Sequence, residues 1–556
     1  MAYTAADAIA EALAQLGTEH VFGIVSIHNM PIFQAINRLG KTRIITVRHE
    51  QAGTHAADGY ARATGKPGVM IASTGPGTSN TVTGLYEALY GSSPVLVITG
   101  QAETAFYGRG AGYVHEAEHQ VEMLRPVCRR VESPRHVSQI GPAFNMVVAE
   151  MLTGRKGPVA IEIPIDLQYA AAEPFSLNLP QESRASADEA VASRVAKAVG
   201  QASRRIIVAG GGVIAAGASD KLEKLARLLD APVLTTVDGR GVMNEDDPLC
   251  VGNFFTSAGI YQAIESADLT LAFGTRFAVG NGGVGQKMRP PGKLVQVDID
   301  GAMIGRTHSV DIPWLEDAGV ALDALLAELE KTEQGGLTPN DAQFNETVSE
   351  ARDGVRSSMR ARLGKDFQQI MDRLRAHLPA DGICVRDQTI SAYNWGNMLF
   401  PVYSPRTSLN PTSGAIGPGL PMALGAAVGS GKKTVVIHGD GGFMFHATEM
   451  ATLAQYKIPL VICLFNDSGY GVLRWLQENE FGDFSDTDLG KVAFVKMAES
   501  MGVPGRRVRD IASYDQALAE AFATDGPFIV EIDMEYFEPM AISKPPHQKL
   551  EVDVKQ

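Results

Sequence analysis

The chain has 556 residues, and at roughly 150 residues per domain that length predicts three or four domains instead of one core. Hydrophobic residues make up 45% and charged residues 20%, and no apolar run approaches the roughly 18 to 20 residues needed to cross a bilayer, which excludes disordered, coiled-coil and membrane-spanning classes. The 49 basic and 63 acidic side chains leave a net charge of −14 with no basic block, so neither nucleic acid nor an anionic membrane is an expected partner.

The stretch up to Gly17 reads as an amphipathic helix carrying Asp7 and Glu11, without the basic-then-apolar start of a secretion signal. From His20 onward short apolar strands at 20–25, 43–48, 68–73 and 94–100 alternate with helices running through Gln34 and starting near Glu50 and Ser79. Such alternation predicts a parallel sheet with right-handed crossovers. A polar stretch from Gln181 to Glu189 reads as a linker, and a second unit follows on strands at 205–209, 232–236, 269–273 and 294–298. The chain turns polar again between Lys331 and Gly354, and a third unit has strands near 383–386, 434–438, 460–466 and 528–532. The expected architecture is α/β, with three consecutive doubly wound parallel-sheet domains over 1–172, 190–330 and 365–540, then a tail over 541–556. Gly157-Pro-Val-Ala-Ile-Glu-Ile and Gly526-Pro-Phe-Ile-Val-Glu-Ile close the first and third units, which therefore read as copies of one another. Four cysteines, at 128, 250, 384 and 463, include no C-x-x-C pair and offer neither a disulfide framework nor a zinc ribbon, so a cytoplasmic location is expected.

Residues 434–470 are the most informative for chemistry, reading strand, glycine turn, helix, strand, turn. In an ordinary right-handed βαβ unit both strands end at the same sheet edge, which places Asp440 beside Asn466. A carboxylate, an amide oxygen and a backbone carbonyl such as that of Ser468 are hard donors for Mg²⁺ or Ca²⁺, too few to complete an octahedron without phosphate and water. Gly439, Gly441 and Gly442 leave backbone N–H groups free for that phosphate. Two other phosphate motifs fail. The 429–434 stretch lacks a P-loop's first glycine, which falls on Ala426, and has Lys433 in place of Ser or Thr. Gly210-Gly-Gly212 lacks the third glycine of a dinucleotide fingerprint.

Gly439-Asp440-Gly441, with Asn466-Asp467 following 26 residues after Asp440, resembles the thiamine-diphosphate motif. Val47-Arg-His-Glu50-Gln-Ala-Gly53, then AADGYAR at 56–62 and TGPGTSN at 74–80, resembles the pyrimidine-binding domain of the same family. The resemblance covers essentially the whole chain, in the order pyrimidine, middle and diphosphate domain, and is nearest the acetohydroxyacid synthase and benzaldehyde lyase branch. It implies thiamine diphosphate with Mg²⁺ or Ca²⁺ and assigns cofactor activation to Glu50. The thiazolium C2–H is a weak acid whose base is the cofactor's own 4′-nitrogen, and a carboxyl beside N1′ must shuttle that proton. Burial would raise such a carboxyl toward neutrality. Ser413-Gly414-Ala-Ile416-Gly417 matches the family stretch that bends the cofactor, with Ile416 as the wedge and the Gly414 carbonyl as partner of the 4′-amino group. Gly441, Gly442, Asn466, Tyr470 and Gly471 complete the implied cofactor contacts, and Asp440, Asn466 and Ser468 the metal set.

The resemblance further implies that the glutamate and diphosphate halves of each site come from different subunits, hence at least a homodimer and expected tetramers. The leading activity is decarboxylation of a 2-oxo acid with ligation of the acyl fragment to a second carbonyl, as in acetolactate synthases. The alternatives are a C–C lyase/carboligase acting on acyloins and a non-ligating decarboxylase. A non-catalytic relative has no reason to keep Glu50, Asp440 and Asn466 together. Where synthases carry a glycine-rich turn this chain has Val25-Ser-Ile-His28-Asn29, and benzaldehyde lyase is similar in having a histidine at the position of His28. His28 either holds or protonates the substrate's hydroxyl or is a satisfied core histidine. His115 stands where the branch usually has glutamine and is a second candidate polar contact. Residues 469–475 are similar to the synthase segment that shapes the acceptor pocket, and Arg474 or Arg129 is a candidate anchor for a substrate carboxylate. Gly274-Thr-Arg276-Phe resembles a stretch of FAD-containing synthases, but Ala278-Val279 replaces the acidic pair that usually follows, which leaves FAD open.

Overall fold

In the computed structural model, which describes residues 2–180, 188–278, 289–333 and 337–541, the alternating runs form three parallel six-stranded sheets. The expected linker up to Ala187, Val279 and the tail beyond Ala541 lie outside the described residues. The first sheet holds β1 (His20–Gly23), β2 (Arg43–Thr46), β3 (Gly68–Ala72), β4 (Val95–Gln101), β5 (Arg130–Glu132) and β6 (Val159–Pro164), in the order β2-β1-β3-β4-β6-β5. The second holds β7 (Arg205–Ala209), β8 (Val233–Thr235), β9 (Cys250–Gly252), β10 (Leu269–Phe273), β11 (Lys293–Asp298) and β12 (Ile312–Leu315), in the order β12-β11-β10-β7-β8-β9. The third holds β13 (Ile383–Arg386), β14 (Ser408–Leu409), β15 (Thr434–Gly439), β16 (Leu460–Asn466), β17 (Gly505–Val508) and β18 (Phe528–Asp533), in the order β14-β13-β15-β16-β18-β17.

Counted within each sheet, the first and third share the order 2-1-3-4-6-5, while the middle one reads 3-2-1-4-5-6. The two echoed segments are β6 and β18, the sixth strand of each like-ordered sheet. Central strands such as β3, β4, β15 and β16 are buried along almost their whole length because helices cover both faces, which is why they read as continuous apolar runs. Five strands have no counterpart in the sequence reading: β5, β9, β12, β14 and β17. Each is two to four residues long and lies at a sheet edge, where the periodic signal is weakest. The 331–354 segment, expected to be linker, instead enters the helix Ala342–Arg362. Asp341 caps that helix by accepting from the Phe344 N–H, and Phe344 and Val348, continued by the partly buried Ala351, Val355 and Met359, anchor it on a core cluster, a narrow stripe in an otherwise polar run.

The first and third sheets are joined through two helices, Glu50–Thr64 and Gly419–Ser430, that meet at backbone distance. A Cβ on Gly59 would lie 2.1 Å from the Met422 carbonyl oxygen, and one on Gly425 would lie 1.8 Å from that of Ala56. One hydrophobic cluster runs from Met70 through Tyr60, Met422 and Leu424 to Val436 without a break. Alongside it, the Thr46 N–H donates to Tyr456 Oη at 2.9 Å and the Arg48 N–H to Glu449 Oε1 at 2.8 Å, docking the β2 edge on the helix Glu449–Tyr456.

Overpacking at this contact has a calculable cost. Gly425→Ala should destabilise the chain by about 1–3 kcal/mol, read as a lowered calorimetric Tm. Gly200→Ala, at an exposed helical position where a Cβ meets nothing within 4 Å, should raise stability by up to ~1 kcal/mol. Equal effects of the two substitutions would refute the backbone contact.

Candidate active site

Strands β15 and β16 pair in register from Thr434 with Leu460 to Gly439 with Phe465, so they end together and release Asp440 and Asn466 at one sheet edge. The Asp467 N–H faces Asp440 Oδ1 at 3.4 Å. Asn466 donates through Nδ2 to Glu531 Oε1 on β18 at 2.8 Å, and its Oδ1 accepts from the Ser468 N–H at 3.1 Å. These two bonds fix which end of the amide faces the turn. Ser468 sits at φ +54°, a left-handed conformation uncommon for serine that reverses the chain at this point. Burial, with Asp467 adding, pushes the Asp440 carboxyl up to about 7. A buried carboxylate beside a half-buried one, an amide oxygen and a reversed serine turn form a donor set that fits a hard divalent cation. Among the described residues no three His, Cys, Asp or Glu side chains form a preassembled cage. A Cβ on Gly441 would meet the Tyr470 ring at 2.7 Å, so Tyr470 closes against this glycine turn.

The Ser413–Gly417 turn stands beside the same edge. A Cβ on Gly417, at φ +99°, would lie 2.7 Å from Phe445 Cβ, and Gly414 is also left-handed at φ +83°. Ile416 is 37% exposed on this turn, an apolar side chain facing no core of its own chain. The structure thus brings together Gly414, Ile416, Asp440, Gly441, Gly442, Asn466, Ser468, Tyr470 and Gly471.

Glu50, His28 and His115 gather at the first sheet. Glu50 opens the helix Glu50–Thr64 directly after β2, with the His49 ring capping the Gln51 N–H at 3.1 Å. Its half-buried carboxylate accepts from Asn80 Nδ2 at 3.0 Å and lies against Gly77, where a Cβ would be 3.2 Å from Oε1. His28 is buried just after β1, its ring centroid 5.4 Å from that of His115 and 6.1 Å from that of Tyr113. Its ring nitrogens make no side-chain hydrogen bond, with only a weak backbone contact to Val114. Burial, with His115 adding, lowers its pKa. His115 is exposed at φ +60°, and its carbonyl accepts from Thr74 Oγ1 at 3.2 Å. Among the described residues the Glu50 carboxylate meets Asn80 and Gly77, both of the first unit.

Family models for thiamine pyrophosphate enzymes match this chain three times: the N-terminal TPP binding domain over 3–123, the central domain over 192–325 and the C-terminal TPP binding domain over 390–532. The chain belongs to the thiamine pyrophosphate enzyme family. Within it the similarity lies with the acetolactate synthase branch. A probable acetolactate synthase large subunit of Methanocaldococcus jannaschii is 32% identical, covering 97% of this chain and 93% of its own. A probable 2-ketoarginine decarboxylase of Pseudomonas aeruginosa is also 32% identical, over 95% of this chain and 94% of its own. Acetolactate synthase 1, chloroplastic, of Nicotiana tabacum is 30% identical, over 95% and 81%. Among the described residues no helix is long and apolar enough to cross a membrane.

Against that thiamine-diphosphate framework one sequence candidate moves away. Arg129 precedes β5, at the opposite end of the strands from Glu50, and there pairs with Glu150 and lines a cavity of about 200 Å³ with Arg155, Arg276, Tyr86 and Tyr90. A substrate carboxylate at the Glu50 edge is therefore out of its reach. Arg474 stays near the metal turn, bonded to Asp488 at 2.6 Å beside Gly469. Other buried groups carried no sequence signal. His55 and His446 pack ring to ring at 5.8 Å, with His49 6.3 Å from His446, although 391 positions separate His55 from His446 in the chain. His446 lies between the short helix Asp440–Phe443 and the helix Glu449–Tyr456.

These histidines set a pH limit on stability. Burial is the main cause that lowers His55 to about 4 and His446 to about 3, against 6.5 for the free side chain, with Glu87 and Asp387 opposing and Arg62, His49 and His438 reinforcing. Both are neutral when folded, so their contribution is complete above pH 6.5 and is lost as pH falls from 6.5 toward 4. At ~1.4 kcal/mol per pH unit, the gap for His55 corresponds to about 3 kcal/mol. Denaturant titrations from pH 7.5 to 4.5 should show this loss, and His446→Asn should flatten it. An unchanged slope in that variant would refute the buried neutral pair.

Proposed function

We propose that this chain, as a homodimer or dimer of dimers with Mg²⁺, uses thiamine diphosphate to decarboxylate a 2-oxo acid and join the acyl fragment to a second carbonyl, as an acetolactate synthase does. The observation that carries this reading is the common edge at which in-register β15 and β16 present Asp440 and Asn466 beside the exposed Ile416 turn. Bound thiamine diphosphate supplies a carbon nucleophile and an electron sink for the pair released as carbon dioxide leaves. The protein's own residues do the rest. Asp440, the Asn466 amide oxygen and the Ser468 carbonyl hold the cation, and the N–H groups at Gly441 and Gly442 face the diphosphate. Ile416 bends the cofactor, the Gly414 carbonyl accepts from its 4′-amino group, and Glu50 exchanges a proton at N1′.

A second copy of the chain completes the site in this reading. Each rim exposes apolar side chains: Val25, Ile27, Met30 and Val114 near His28, and Met444, Phe445, Leu473 and Phe481 near Asp440. The helix Gly471–Phe481 has no buried residue at all in the single chain. Pairing one rim with the other copy's opposite rim covers both and brings Glu50 to Ile416 across the interface. All four cysteines are buried thiols, which suits a reducing cytoplasm.

One observation favours a second reading, a simple decarboxylase. The His28 ring lies beside His115 with only a weak backbone contact to Val114, and an imidazole there is placed to protonate the acyl carbanion before a second carbonyl captures it.

Incubation with thiamine diphosphate, Mg²⁺ and ¹³C-pyruvate separates the two by NMR. Acetolactate with carbon dioxide is the expected result, and acetaldehyde alone would move the assignment to the decarboxylase. Glu50→Gln should remain folded and lose about 10²- to 10⁴-fold in turnover, so full activity in that variant would remove Glu50 from the proton path. Asp440→Ala should abolish the Mg²⁺ dependence of thiamine diphosphate binding; superimposable titrations with and without Mg²⁺ in the unsubstituted protein would refute the metal assignment.

A further inference from the structure

We propose that Glu87 is a positioning residue for the cofactor-bending turn: a carboxylate of the first unit that fixes Ile416 of the third by clamping the chain just before it. The inference rests on the reading of Ile416 given above. Glu87 lies on the helix Val82–Tyr90 and is fully buried, as are Leu85 and Ala88 of the same helix. Its Oε1 accepts from the Thr412 N–H at 2.6 Å and from Arg62 Nη2 at 2.7 Å. Its Oε2 accepts from the Ser413 N–H at 3.0 Å and from the Ser413 hydroxyl. Arg62 extends the grip, donating to Asp58 Oδ1 at 2.9 Å, the Asn410 carbonyl at 2.9 Å and Thr412 Oγ1 at 2.8 Å.

A second carboxylate holds the other side of the turn. Asp387 accepts from the Gly417 N–H at 3.0 Å and the Gly419 N–H at 2.7 Å, and its Oδ2 lies 3.1 Å from His438 Nε2. Only residues 414–416 lie between the two clamps. Ile416 projects outward, so backbone tethers on both sides set its place, and its β-branched side chain then has little freedom about χ1.

A carboxylate buried in the core is costly unless its oxygens are satisfied, and its partners depend on it in turn: without it Arg62 would lose an anion, and the Thr412 and Ser413 N–H groups their acceptor. Burial works to raise Glu87, while Arg62 and the Ser413 and Thr412 donors hold it below the usual carboxylate range. Three of its four donors belong to residues 412–413, so the buried charge is compensated only when the turn is docked in one register. What the carboxylate supplies is position.

The test uses Glu87→Gln, which keeps the shape but loses two acceptor sites, and Ser413→Ala, which removes one donor and leaves the Glu87–Arg62 pair intact. In each holoprotein, calorimetry reads thiamine diphosphate affinity with Mg²⁺, and NMR of quenched samples reads the rate at which the bound cofactor exchanges its C2 proton for deuterium without substrate. Affinity should change little, because the diphosphate anchors are untouched. C2 exchange should slow by about 10- to 100-fold in Glu87→Gln and by less in Ser413→Ala, the penalty expected for a misplacement of ångström size. In the apoprotein, amide exchange at residues 414–417 should accelerate. Unaltered C2 exchange in a folded Glu87→Gln protein would overturn the proposal, as would unaltered C2 and amide exchange in Ser413→Ala should the first variant misfold. If the unsubstituted protein does not bind thiamine diphosphate, the functional reading falls, and the apoprotein amide exchange still decides the clamp.

Discussion

Gly59 against Met422 and Gly425 against Ala56 bring two helices from distant parts of the chain into backbone contact, with no side chain between them. Glu50 opens one of these helices, and the other follows directly on the turn that carries Ile416. A methyl group at either glycine would force the helices apart and shift both functional edges relative to each other. The continuous hydrophobic cluster running through the pair makes the two like-ordered sheets one packed body at this point, so the separation of the functional edges is set by van der Waals contact between backbones.

Around that contact the protein buries a large number of polar groups. Some are satisfied at short range, as in the Glu87–Arg62 pair with its Thr412 and Ser413 donors and in Asp387 with its two glycine N–H donors. Others have ring nitrogens without a side-chain hydrogen bond: His28 at the first sheet, and His55 with His446 between the sheets. The satisfied groups fix backbone segments, and the unsatisfied ones are neutral imidazoles, the cheapest form in which an ionisable side chain can be buried. The distribution has a logic. The clamps hold the turn at 412–419, whose conformation includes left-handed φ values at Gly414 and Gly417 that no repetitive structure would maintain.

The parts of the fold legible in the sequence were those with strong local periodicity. The central strands β3, β4, β7, β10, β13, β15 and β16 fall where apolar runs are bounded by turn residues, because burial on both faces writes itself directly into composition. The edge strands β5, β9, β12, β14 and β17 were illegible, being too short and too dependent on a neighbour. The helix Ala342–Arg362 was hidden by its polarity: its apolar stripe, Phe344, Val348, Ala351, Val355 and Met359, is narrow and only its first two members are fully buried. For the site, spacing placed Asp440 and Asn466 correctly at one edge because a right-handed βαβ crossover leaves no alternative. Arg129 shows the limit of such reasoning. Its place relative to the substrate edge depends on which end of β5 it occupies, and β5 itself could not be seen.

By itself the sequence determined the fold class, the three-unit order, the family and the residue types at each glycine turn, all of which follow from local pattern and short-range chain geometry. Only the tertiary structure decided that Glu87 holds Thr412 and Ser413 across 325 and 326 positions and that His55 meets His446. The reason is physical. A hydrogen bond or ring contact between distant segments leaves no periodicity in either one, and it exists only once the helix pair has brought two sheets within reach.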